Sequence, residues 1–150
     1  MSERSSAAVS AWESLFRAQV AVLRQLGREF PTGEISFNEY DVLFNLSRQE
    51  GKRLRIRDIS RHLLLTQPSV SRMVDRLVAK GFVTKESDPV DGRGTFVCLT
   101  DAGSTLYRRG AVAHAKSIDR YVGAALTTVE LKTLQALTER IRVSVDEADD

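Results

Sequence analysis

Cysteine is nearly absent. Cys98 stands alone among 150 residues, which excludes an internal disulfide framework and fits a reducing cytoplasm. Histidine is almost as scarce. His62 and His114 lie far from each other and from Cys98 in the sequence, without the close-spaced partners of a zinc site. No metal and no other cofactor is expected. No apolar run approaches the roughly 18 residues of a membrane span. The opening MSERSSAAVSAWESLF holds no apolar stretch ahead of a cleavage site, so no secretory leader is expected. Nucleophile elbow, phosphate loop and paired His/carboxylate spacing are all missing, and DGRG is a glycine-flanked turn. These absences argue against an enzyme.

What is present is an uneven distribution of charge. Residues 48–95 carry eleven Lys/Arg against six Asp/Glu, a net of +5, and the rest of the chain nets −3. A basic middle between neutral-to-acidic ends is the asymmetry expected when only the middle meets a polyanion. A length of 150 residues allows one domain or two small ones with a real core.

Periodicity supplies the order of elements. Trp12, Phe16, Gln19, Leu23, Leu26 and Phe30 recur at alternating four and three spacing, predicting a helix over 10–30 that Pro31-Thr32-Gly33 ends. Ser36 with Glu39 is a capping box that opens a second helix to about Ser47. A very short strand at 54–56 and a third helix over 57–64, with Ile59, Leu63 and Leu64 apolar, follow. Thr66 caps a fourth helix, Pro68 is tolerated in its first turn, and Gly81 stops it. Residues 82–86 and 95–99 are β-type and flank the turn-rich SDPVDGRG, which predicts a hairpin. Asp88 and Asp91 are expected to shape that turn through local backbone bonds. A fifth helix from Thr100 to about Leu126 precedes a second capping box, Thr127 with Glu130, and a last helix striped with Leu131, Leu134, Leu137, Ile141 and Val145. Asp146 to Asp150 form an acidic tail.

The fourth helix raises the functional question. At about 100° per residue, Val70, Met73, Val74, Leu77 and Val78 share one arc. Pro68, Ser69, Arg72, Asp75, Arg76 and Ala79 share the opposite arc, with Gln67 and Ser71 on its flank. Two helices joined by a tight turn, the second beginning with short polar residues and continuing with arginines, make a helix-turn-helix pattern. Short side chains let a helix approach base edges. Gln and Arg can bond adenine and guanine bidentately, and the helix N-terminus with Ser and Thr hydroxyls, Thr66 included, can meet phosphate. The hairpin that follows would be a wing. Its Arg93, between two glycines, suits a narrow minor groove.

The run LLLTQPSVSRMVDRLVAKGFVTKESDPVDGRGTFVCLTDAG resembles the MarR family of bacterial transcriptional regulators. The recognition helix SVSRMVDRL, the exit KGFV, the D-x-x-D-x-R wing and the helix start LTDAG carry the resemblance. AWESLFRA, SFNEYDVLFNL and LTTVELKTL extend it over about residues 10–145. It implies a winged helix-turn-helix over 36–99, with dimerisation helices in 1–35 and 100–150. It implies a homodimer on a pseudo-palindromic operator in double-stranded DNA, most often as a repressor. Gln67, Pro68, Ser69, Ser71, Arg72 and Arg76 would face the major groove and Arg93 the minor groove. Where the family wing shows Asp-Arg-Arg, this chain has Asp91-Gly92-Arg93. The wide apolar stripes of the end helices independently call for a partner chain.

The resemblance also implies release from DNA by a small aromatic or phenolic effector, bound at the junction of the end helices and the winged helix. Trp12, Phe16, Tyr40, Phe44 and His114 are the candidates there, although each also fits a packed position. Two other uses stay open on the sequence. One is a dimeric small-molecule-binding protein with weak or lost DNA affinity; the other is a winged helix that contacts an acidic protein partner.

Overall fold

A computed structural model describes residues 2–31, 33–63 and 65–148. Thr32 of the expected helix stop, Leu64 of the expected third-helix face, and Asp149 and Asp150 of the tail lie outside the described residues. The fold is mainly helical with one small antiparallel sheet, and it divides into two compact units.

The unit over Phe30–Ala113 is the winged helix. It contains α2 (Phe37–Ser47), β1 (Arg53–Arg55), α3 (Ile56–Leu63), α4 (Gln67–Ala79), β2 (Val83–Ser87), β3 (Thr95–Leu99) and the first half of α5 (Asp101–Tyr121). Ser36 accepts the Glu39 N–H at 3.1 Å while Glu39 accepts the Ser36 N–H at 3.0 Å, completing the predicted capping box. Thr66 accepts the Ser69 N–H at 3.3 Å and starts α4. Gly81, at φ +78°, ends it in the left-handed region that glycine tolerates. The expected hairpin is present, and the short strand expected at 54–56, found at Arg53–Arg55, joins it as a third strand. The order is β1-β3-β2, with Leu54 opposite Val97 and Lys85 opposite Val97 on the other side.

Val42, Leu43, Leu46, Ile59, Val70, Val74 and Leu77 are fully enclosed in the core of this unit, together with Val83 and Val97 of the sheet. Each side chain of this size stabilises the fold by about 1.5–3 kcal/mol on burial. Val78 departs from its predicted place on the buried arc: it is exposed, because it falls one residue beyond Leu77 at the edge of the apolar stripe. The unit extends past the predicted 36–99 on both sides, because Phe30 joins the core and Leu106 and Tyr107 of α5 pack against it. Gly103 fixes the start of α5. A Cβ there would meet the Phe82 carbonyl oxygen at 2.1 Å, so only glycine permits the approach. Thr100 locks the same junction, donating to the Gly81 carbonyl at 2.8 Å and accepting the Gly103 N–H at 3.0 Å.

The second unit comprises α1 (Glu3–Glu29), the rest of α5, and α6 (Thr128–Asp146). Helix α1 begins earlier than the apolar stripe suggests. Ser2 accepts the Ser5 N–H at 3.2 Å, and Ala7-Ala8 are strong helix formers. Helix α5 ends earlier than predicted, giving way to a 3-10 turn at Gly123–Ala125 before Thr127 and Glu130 form the second capping box. Glu29 ties α1 to α5: it accepts from Ser117 Oγ at 2.9 Å, from Arg120 Nη1 at 3.0 Å and from the Tyr121 hydroxyl. No described residue of α6 is buried.

Candidate nucleic-acid interface

Helix α4 presents its first turn outward. Thr66, Gln67, Pro68 and Arg72 are exposed, and Ser69 and Ser71 are half-buried. Thr66 Oγ1 donates to Ser69 Oγ at 3.0 Å, and Arg72 Nη2 donates to the same oxygen at 3.2 Å. The guanidinium of Arg72 is thus steered along the helix surface toward its N-terminus, where a ligand phosphate or base edge would also meet the positive end of the helix dipole.

The wing loop is fastened by its own aspartates. Asp88 is 3% exposed and accepts the Val90 N–H at 2.9 Å, while Arg55 of β1 pairs with its other oxygen. The Val90 N–H, with lesser help from the Asp91 N–H and Arg55, holds the Asp88 carboxyl below its ordinary range despite burial. Asp91 accepts the Arg93 N–H at 3.1 Å, and the backbone closes with Gly94 N–H to Asp91 O at 2.8 Å. Both aspartates therefore act as the turn chemistry requires. The loop stays tied with Gly92 at the position where the resemblance sets an arginine.

Gln67 and Ser71 of α4 and Arg93 of the wing line one cleft of about 270 Å³. The same cleft is lined by Arg55 and Arg57, which sequence reasoning missed. The alternation Arg53-Leu54-Arg55-Ile56-Arg57 was the available signal. It places Arg53 and Arg55 on one face of β1, where their guanidinium carbons lie 4.6 Å and 5.3 Å from the centroid of the Phe96 ring. Cation–π contact of this kind orders long side chains that would otherwise wander.

Arg76 is placed differently from Arg72. The resemblance sets both toward the groove, but Arg76 Nε is directed to Glu39 Oε1 of α2 at 2.9 Å. Lys80 Nζ reaches Oε2 of the same carboxylate at 3.2 Å and the Glu34 carbonyl at 2.8 Å. Glu39 is 3% exposed. Burial alone would raise its pKa, but the Arg76 bond, the Ser36 N–H and Lys80 together hold it below the ordinary value.

The effector candidates fall into separate groups. Trp12 and Phe16, 61% and 51% exposed, stack on α1 with ring centroids 5.9 Å apart. Tyr40 is buried in the other unit, 5.1 Å from Phe30 and 5.5 Å from Tyr107, and burial pushes its pKa up to about 12. Phe44 joins this cluster through Tyr107 at 6.3 Å. His114 is half-buried on α5, and burial lowers its pKa. Beside Tyr40 lies an open cleft of about 290 Å³ lined by Ile35, Leu106, Arg109 and Gly110. Gly110 keeps this cleft open toward the ring, since a Cβ there would sit 3.1 Å from Tyr40 Cε2. Tyr107 and Arg109 were not singled out from the sequence, because α5 carries no sharp apolar stripe to set them apart.

A family model described as MarR family matches residues 34–94. The multiple antibiotic resistance protein MarR of Escherichia coli is 32% identical over 73 residues, covering 49% of this chain and 51% of that protein, so the chain spans about half the length of this relative. A MarR family transcriptional regulator from Streptomyces coelicolor, solved in complex with DNA, superposes with a TM-score of 0.74 at 28% identity, covering 88% of this chain and 83% of that one. The PcaV transcriptional regulator of the same organism, solved in complex with its natural ligand, gives a TM-score of 0.68 at 27% identity, covering 87% of this chain and 91% of that one.

Proposed function

Because the chain belongs to the MarR family of transcriptional regulators, we propose that it binds double-stranded DNA sequence-specifically as a homodimer and acts as a ligand-responsive repressor in the cytoplasm. The observation that carries this reading is the shared cleft. The exposed start of α4 and the tip of the wing bring Gln67, Ser71 and Arg93 together with Arg55 and Arg57, where polar donors and cations converge on one surface. In this reading Gln67 and Arg72 address base edges, Thr66, Pro68, Ser69 and Ser71 let the helix approach and bond phosphate, and Arg93 enters the adjacent minor groove.

The second unit supports the dimer. Its helices expose Trp12, Phe16, Leu137, Ile141 and Val145, an apolar surface that a second copy would bury, and two-fold symmetry would set two α4 helices on two half-sites. For the effector, the Tyr40 cleft offers an aromatic ring and Arg109, whose guanidinium pairs with Glu34 of the same cleft at 3.3 Å and would have to be shared with an anionic ligand; PcaV was solved with its natural ligand. Trp12, Phe16, Phe44 and His114 remain further candidates for effector contact.

The test is selection of genomic fragments by the purified protein at two salt concentrations. The expected outcome is enrichment of one imperfect palindrome, lost at high salt as each counterion released from a phosphate gains less free energy. A folded dimer that enriches nothing at low salt would overturn DNA reading and leave small-molecule binding as the function.

A further inference from the structure

Glu39 is bonded far beyond the needs of its capping box. The second box of the chain shows what those needs are. Glu130 accepts the Thr127 N–H at 2.8 Å and its hydroxyl at 3.0 Å, is exposed, and engages no cation among the described residues. Glu39 makes the same backbone bond to Ser36 at 3.0 Å, yet it is buried and gathers two cations from a helix 37 and 41 positions away. Arg76 and Lys80 stand one turn apart at the C-terminal end of α4, and both are turned to this single carboxylate. A buried carboxylate stripped of water needs such partners, and bonds to it are stronger than bonds between neutral groups. The N-terminus of α2, with its positive dipole end, favours the charge further.

We propose that Glu39 is a positioning residue for DNA recognition: through Arg76 and Lys80 it clamps the C-terminal half of α4 to α2, sets the angle at which α4 enters the groove, and withholds both cations from phosphate. This rests on the reading of α4 as the recognition helix. Arg76 then acts through Glu39 and reads no base. The clamp favours the matched sequence over others, because two mobile cations would strengthen binding to any duplex alike while a loosened helix would lose its register on the right one.

The experiment measures binding of the full chain to its selected operator and to a scrambled duplex across a salt series. Glu39→Gln keeps the side-chain size and an acceptor for Ser36 but releases the charge. The expected result is about a tenfold loss on the operator, unchanged or tighter binding to the scrambled duplex, and a salt slope steeper by about one to two, since each freed cation that meets a phosphate adds about 0.9. Lys80→Gln supplies the second arm, which does not depend on how well Glu39→Gln folds. In the wild-type background it should leave the salt slope unchanged; in the Glu39→Gln background it should remove part of the steepening. Selected base preferences of Arg76→Ala should match those of the wild type. Parallel losses on both duplexes with an unaltered slope, or a preference lost at one base pair in Arg76→Ala, would overturn the proposal while leaving DNA binding in place. A wild-type chain that prefers no duplex would instead overturn the DNA-binding reading beneath it.

Discussion

Arg72 and Arg76 look alike in the sequence, four residues apart on one helix face, and the structure separates them. Both are exposed, but Arg72 leans on Ser69, whereas Arg76 is engaged by a carboxylate that the sequence places 37 residues away. Helical geometry can assign a face, but it cannot see a partner supplied by another element, so this distinction was not legible beforehand. Arg72→Ala should weaken operator binding by ~1–3 kcal/mol and relax preference at one position, as measured by titration against single-base operator variants. Asp41 offers a different test. Burial raises its pKa from 3.8 to about 6. A carboxyl raised in the folded state costs stability above that folded value, and the cost fades as pH falls toward the unfolded value. Asp41→Asn should therefore raise the melting temperature at pH 7.5, and this gain should shrink toward zero near pH 4.

Elements bounded by local chemistry were the most legible. Ser36 with Glu39, Thr66, Gly81, and Thr127 with Glu130 each mark a helix end where the structure has one. The short strand expected at 54–56 was legible to within a residue, but its pairing with β3, more than forty positions on, was not, since three residues carry no signal of their partner. The wing illustrates how an element becomes a tool. Its loop holds its shape through Asp88, so Asp88→Ala should free the Val90 N–H and Arg55 together and lower the melting temperature. Operator affinity should fall with it, toward the level of Arg93→Ala. If Arg93 enters the minor groove, its removal should cost more on A·T-rich flanks than on A·T-poor ones. Equal losses on both flanks would identify a plain phosphate contact.

At the scale of the whole molecule, the two capping-box helices and the basic middle made the winged helix and its flanks readable, but the extent of the compact unit was not. The sequence drew a border at Leu99, where β-type residues stop, while packing carries the unit on through Tyr107 to Ala113. The apolar residues left outside on α1 and α6 predict the assembly. Light scattering should give twice the chain mass, and Ile141→Lys, on an α6 face that the chain itself does not bury, should shift the protein toward monomer and weaken operator binding with it.

The strand order bears on assembly in another respect. With β3 in the centre, β1 and β2 are both edges, and an open edge can recruit a foreign strand. Here one edge is three residues long and flanked by arginines; the other exposes Lys85 and Glu86 and runs out toward Pro89. Neither offers a long, flat, uncharged template. An apolar helical surface open to a partner thus coexists with a sheet that resists the uncontrolled growth that ends in fibres, so burial of the helical surface in a closed pair is favoured over edge-to-edge aggregation if the proposed dimer forms.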